Sequence, residues 1–186
     1  LATPVLLRRS SIDRPGIGIG LQDHPSVAIT LELRQPQRSA YRIGANVRTS
    51  SLHGNANIHV LSLNDTDESG KFGALIAGVM QVHSRGEVRY DAATGTGVAL
   101  FNQLSDERDK VAMRDAARFV YDLARSQSVS SIAGALFSDS SGTSAQWLSD
   151  ASDAEIDNWA LQQVGAYSHA AGSCAMGDSR DDMAVV

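Results

Sequence analysis

Apolar residues recur with a period of two through the first hundred residues and with helical spacing from Asp106 onward, so this chain spends its strands before its helices. Val27, Ile29, Leu31 and Leu33 alternate with Ala28, Thr30, Glu32 and Arg34, the pattern of a strand buried on one face. Ile43, Ala45 and Val47 repeat it, His59 to Leu63 gives a third strand, and the longer apolar run Gly73–Val82 predicts a central one. The turn Ser84-Arg85-Gly86 leads into Glu87–Tyr90, read as the hairpin partner of that run, and Val98–Phe101 is a short extended piece. Met113, Ala116, Val120 and Leu123 then fall on one helical face, behind Ser105 as cap with Asp106 and Glu107 in the first turn. Residues 126–144 read as a serine-rich loop interrupted by apolar 132–137. The capping box Ser152-Asp153-Ala154-Glu155 opens a further helix carrying Ile156, Trp159 and Ala160. Thr3 followed by Pro4 reads as the start of a short helix over 3–10. With no βαβ alternation, the expected class is α+β, a largely antiparallel sheet flanked by helices.

Composition narrows the function. A formal charge of −5 with scattered Lys and Arg gives no basic footprint for nucleic acid. No apolar run approaches the ~20 residues that span a bilayer. One cysteine, Cys174, excludes an internal disulfide framework and fits a reducing cytoplasm, the expected location. The chain opens on Leu inside an apolar stretch and closes on Met183-Ala184-Val185-Val186, so both ends read as cuts through structure.

Several motifs fail on spacing. Gly16-Ile17-Gly18-Ile19-Gly20 brings its third glycine one position early for a dinucleotide fingerprint and precedes a strand, so it reads as a flexible connector. The Asp65–Gly70 run resembles the front of a calcium loop, but Ile76 stands where a bidentate acid is required; it reads as a polar turn. The five histidines show no zinc-ligand spacing, and no metal is expected. Cys174 lies among small residues and reads as packing, and no Gly-x-Ser-x-Gly elbow exists. The segment His169-Ala170-Ala171-Gly172-Ser173-Cys174-Ala175-Met176-Gly177 is different. A titratable imidazole precedes small residues and two glycines, which suits proton transfer beside a closely packed, flat surface.

Five segments in order carry a resemblance: Leu1–Ser10, Leu21-Gln22-Asp23-His24-Pro25, Ser84–Tyr90, Phe101–Asp109 and His169–Gly177. Together they resemble the C-terminal part of the glucose–methanol–choline (GMC) oxidoreductases, flavoenzymes that oxidise alcohols with FAD; the branch associated with the mycofactocin redox cofactor is the most similar. The resemblance implies a substrate domain over residues 26–160, remnants of the FAD-binding domain in 1–25, and a return segment, 161–186, bearing the active-site histidine. It implies that His169 is the general base, that Ser168 and Thr3 lie near the FAD, and that the substrate is a small-molecule alcohol whose α-hydrogen leaves as hydride to flavin N5. Gln22–Pro25 reads as a structural turn locking two domains together.

The departures matter equally. The N-terminal glycine fingerprint is absent, the connection between Ser10 and Pro15 is short, and Gly20 replaces the family's usual Asn. The family's second active-site residue, His or Asn, falls beyond Val186. The expectation is therefore a C-terminal fragment, inactive alone, whose partner is the missing N-terminal FAD-binding portion. Two other readings stand beside it: a noncatalytic α+β binding module derived from the same fold, and an unrelated hydrolase using Cys174 or His169.

Overall fold

The computed structural model describes residues 14–64, 66–178 and 180–185. In chain order the strands are β1 (Ile19–Leu21), β2 (Pro25–Leu33), β3 (Ile43–Thr49), β4 (Ile58–Leu63), β5 (Phe72–Val79), β6 (Gly86–Asp91), β7 (Thr96–Leu100), β8 (Ala133–Phe137) and β9 (Gly165–Ala166). The helices are α1 (Glu107–Arg125), α2 (Gln127–Ile132) and α3 (Asp153–Gln163). The helix expected over 3–10, and with it Thr3, lies outside the described residues.

The main sheet is antiparallel in the order β3-β4-β5-β2-β8, with β9 also pairing β2. The long apolar run is indeed central. Its register sets Ile29 opposite Leu75 and Val27 opposite Ala77, and Val60 opposite Ala77 in turn. Paired residues share a face, so these side chains form one apolar surface. On it α1 lays Ala112, Met113, Ala116 and Val120, all buried in one cluster with Ile156 and Trp159 of α3. Each such large aliphatic side chain contributes about 1.5–3 kcal/mol by leaving water. Ala28, Thr30, Ile76, Leu61 and His59 lie on the opposite face and stay half-exposed. The sheet thus buries one face and leaves the other available.

Three expectations are corrected. Glu87–Tyr90 does not pair with β5: β6 joins β7 and β1 in a separate small sheet. The cause is Asp109, buried in the first turn of α1, whose carboxylate accepts from His83 N (2.9 Å) and Ser84 N (2.7 Å) and so pulls the chain after β5 across the helix start. The helix cap is Asp106, not Ser105; its carboxylate accepts from Arg108 N, while Arg108 in return holds that carboxyl well below the usual range. The 126–144 loop contains α2 and β8. Its serines do not oppose the helix, because Ser126 caps it and Ser130 and Ser131 bond back to Gln127 and Ser128 carbonyls. The capping box on α3 forms as expected.

Arg114 ties α1 to α3. Its Nε donates to Asp157 Oδ1 at 2.7 Å and its Nη2 to Glu107 at 2.8 Å, and both carboxylates raise its pKa further. The Arg114 side chain is 15% exposed, so part of the pairing is shielded from water. Arg114→Met is expected to lower stability by about 1–3 kcal/mol, between the surface and the buried limits for a broken pair. Urea unfolding followed by circular dichroism checks this; an unchanged midpoint would remove the pairing from the account of helix packing.

Candidate active site

The chain after α3 returns along the end of the sheet. Gly165 pairs Ser26 and Ala166 pairs Pro25, so Tyr167 continues across the half-exposed face. Ser168 then adopts φ +63, a left-handed turn that separates the directions of Tyr167 and His169. His169 follows, exposed, with its backbone N–H donating to Asp23 Oδ1 at 3.1 Å. The same oxygen accepts from His24 N at 2.7 Å. One step on, Gln22 and Ala171 exchange two backbone hydrogen bonds of 2.9 Å, and Gly18 N donates to Ser173 O at 2.8 Å. The two most specific sequence segments, 21–25 and 169–177, are thus laced together.

Glycine is required at this seam. A Cβ on Gly172 (φ +91) would lie 2.3 Å from the Gly20 carbonyl oxygen, and a Cβ on Gly16 would lie 1.9 Å from that of Met183. The Gly16–Gly20 run is therefore a close-packed support, not a flexible connector. It opens strand β1 and not a helix, so it offers no phosphate-binding helix terminus.

His169 sits in a ring cluster. Its centroid lies 5.4 Å from that of Tyr167 and 5.5 Å from that of His24, both edge-on. His24 Nδ1 meets the Val79 carbonyl at 3.1 Å, which requires the proton on Nδ1. A cavity of about 330 Å³ opens here, bounded by His169, His24, Asp23, Arg85 and Met80. Asp23 is buried and its Oδ2 has no hydrogen-bonding partner among the described residues. A larger cavity, about 790 Å³, lies at the other end of the sheet beside Leu33, Val129 and Ile132, and among the described residues no His, Asp, Glu, Cys or Tyr lines it. The smaller cavity is the one that His169 lines.

Ser168 and His169 are adjacent here. Cys174, expected to be packed, is exposed on the same segment. No group of three or more potential metal ligands occurs among the described residues. Nor is any helix among them long and apolar enough to cross a membrane. Sequence reasoning assigned no site role to four residues of this cluster. His24 and Asp23 were visible only as a turn motif, and Tyr167 and His59 carried no signal beyond residue type.

Residues 82–186 match the family model described as GMC oxidoreductase, and the chain belongs to that family of oxidoreductases. It is 27% identical over 239 aligned positions to oxygen-dependent choline dehydrogenase 1 of Chromohalobacter salexigens, covering all of this chain and 41% of that protein. The oxygen-dependent choline dehydrogenase of Klebsiella pneumoniae is 26% identical, with 39% of its length covered. The chain therefore spans about two fifths of these curated relatives. The alignments are longer than the chain, so the relatives carry internal segments that it lacks. Among solved structures, pyridoxine 4-oxidase from Mesorbium loti superposes with a TM-score of 0.76 at 20% identity, over 99% of this chain and 39% of that one. A structure of Aspergillus oryzae formate oxidase, concerned with modification of its FAD, gives 0.68 at 15% identity, over 92% and 40%. At those identities the superpositions establish a shared fold.

Proposed function

We propose that this chain supplies the substrate-facing domain and the general base of an FAD-dependent oxidoreductase acting on the CH–OH group of a small-molecule alcohol. One observation carries the reading: His169 is presented, exposed, on a segment clamped by Asp23 at the edge of an uncovered sheet face. A neutral imidazole there accepts the hydroxyl proton as the carbinol hydrogen leaves as hydride. The backbone needs no reorganisation, because Asp23 already holds both His24 and His169 by their N–H groups.

The residues present fit the ring end of FAD. The 168–177 segment is exposed over nearly its whole length and built of small residues, and Asp23 keeps a buried acceptor without a donor. Ser168, His169 and the backbone that follows would face the ring, with Thr3 assigned to the same place by the resemblance. When bound, FAD supplies the two-electron acceptor. The anchoring of its phosphates falls to the N-terminal FAD-binding portion that the family resemblance implies. In this reading residues 1–25 belong to that portion, 26–160 are the substrate domain and 161–186 return to the flavin.

The test is anaerobic. The chain, assembled with such a flavin-binding portion and loaded with FAD, is mixed with a panel of primary and secondary alcohols. Bleaching of the flavin absorbance by at least one of them is expected. A loaded, folded assembly that no alcohol reduces would overturn the assignment.

A further inference from the structure

His59 and Tyr167 lie outside every motif that led to His169, yet the structure binds them to it. His59 stands on β4 opposite Gly78 of β5, on the uncovered face of the sheet. Gly78 has no side chain, and the Tyr167 ring occupies that space: a Cβ there would come within 3.0 Å of Tyr167 Cε2. The ring so crosses β5 and brings its hydroxyl to His59 Nδ1, 3.1 Å away. Beyond the hydrogen bond, Tyr167 meets both His169 and His24 edge-on, at 5.4 Å and 6.0 Å.

We propose that the Tyr167–His59 hydrogen bond is a latch that orients the imidazole of His169, which makes Tyr167 and His59 positioning residues for the base. The inference rests on the reading of His169 given above. His169 has its backbone fixed by Asp23, but its side chain is exposed and would otherwise turn freely about two torsions. Two rings limit it. His24 is tied to β5 through the Val79 carbonyl, and Tyr167 is tied to β4 through His59. The imidazole of His169 thus leans on two props fixed to neighbouring strands.

The proton order in the latch follows from its surroundings. Burial pushes the Tyr167 phenol up, so it stays protonated and donates. Burial, together with Arg48 on β3 and then His169 and His24, pushes His59 down, so its imidazole is neutral and Nδ1 accepts. The proton of His59 is then on Nε2. Protonating His59 would set two donors against each other and open the latch.

The experiment is histidine-ring NMR on the full 186-residue chain, with Met113 and Val120 methyl signals reporting the fold. Tyr167→Phe keeps the ring and deletes the hydroxyl. His59→Ala removes the acceptor, whereas His59→Asn places an amide oxygen near the position of Nδ1. Tyr167→Phe and His59→Ala are expected to shift the His169 ring resonances in the same direction. His59→Asn is expected to keep them close to those of the unaltered chain. Should Tyr167→Phe fail to fold, the comparison of His59→Ala with His59→Asn decides alone. His169 signals unmoved by His59→Ala, or displaced as far by His59→Asn, would overturn the latch. The readout requires no turnover, so an ordered His169 in an assembly that oxidises no alcohol would count against the proposed function only.

Discussion

Replacing His169 by glutamine is expected to slow flavin reduction by the alcohol about 10²–10⁴-fold, the usual worth of a positioned general base. The substitution is chosen to isolate chemistry from structure. The contact that holds this segment is made by the backbone N–H of His169 to Asp23, which glutamine retains. Glutamine also preserves a polar side chain but cannot take up a proton near neutral pH. Binding of the alcohol should therefore change little, and the loss should appear in the rate at saturation. Raising the pH should restore part of that rate in the variant, because a growing fraction of the alcohol reaches the site already ionised. Stopped-flow absorbance under nitrogen measures both. A variant that reduces its flavin at the original rate, with the original pH profile, would show that the hydroxyl proton leaves by another route.

The fold was largely legible because its determinants are local and periodic. Alternation at Val27–Leu33 and helical spacing at Met113–Val120 each report a single buried face, and the structure buries those faces against one another. The failures fall where a distant contact decides. Nothing within Ser84–Tyr90 reveals that Asp109, some twenty-five residues later, will capture the two amides before it and send β6 into another sheet. Local serine chemistry likewise reads as loop over 126–132, yet those hydroxyls satisfy helix carbonyls. The site divides in the same way. His169 stood out through its small-residue company, whereas His59 meets Tyr167 across 108 residues, a juxtaposition that only the folded chain creates.

Asp109 also offers a measure of how far that capture stabilises the fold. Its carboxylate accepts from the backbone N–H groups of His83 and of buried Ser84, so Asp109→Asn keeps the shape but presents an NH₂ group to at least one donor; a loss of about 1–3 kcal/mol is expected. For a chain of this size that corresponds to a fall in melting temperature of about 2–4 °C per kcal/mol, measurable by calorimetry. A melting temperature equal to that of the unaltered chain would mean the His83–Ser84 turn is held by something else.

A single methyl group at Gly172 should separate the site from the fold. Gly172 and Gly20 face each other with left-handed backbones, φ +91 and φ +86. The alanine Cβ at 172 would stand 2.3 Å from a backbone oxygen that is itself fixed in the β1 seam, so no flexible side chain can yield. The left-handed conformation adds about 1–3 kcal/mol of strain for a residue with a side chain. Relief requires pulling apart the Gln22–Ala171 bridge and the Gly18–Ser173 bond, each worth about 1 kcal/mol net. The 168–177 segment is exposed and docks through few groups, whereas the α1–sheet core shares none of them, so opening should be local. Gly172→Ala is accordingly expected to abolish hydrogen-exchange protection at the Gln22 and Ala171 amides while leaving the amides of α1 protected. Gly20→Ala is the control: its nearest atom would be 3.5 Å away, so it carries strain without collision and should retain most of that protection. If both variants kept the seam closed, the close approach of these two glycines would not be what holds His169 at the edge of the sheet; if both lost the α1 protection as well, the site and the core would be one cooperative unit.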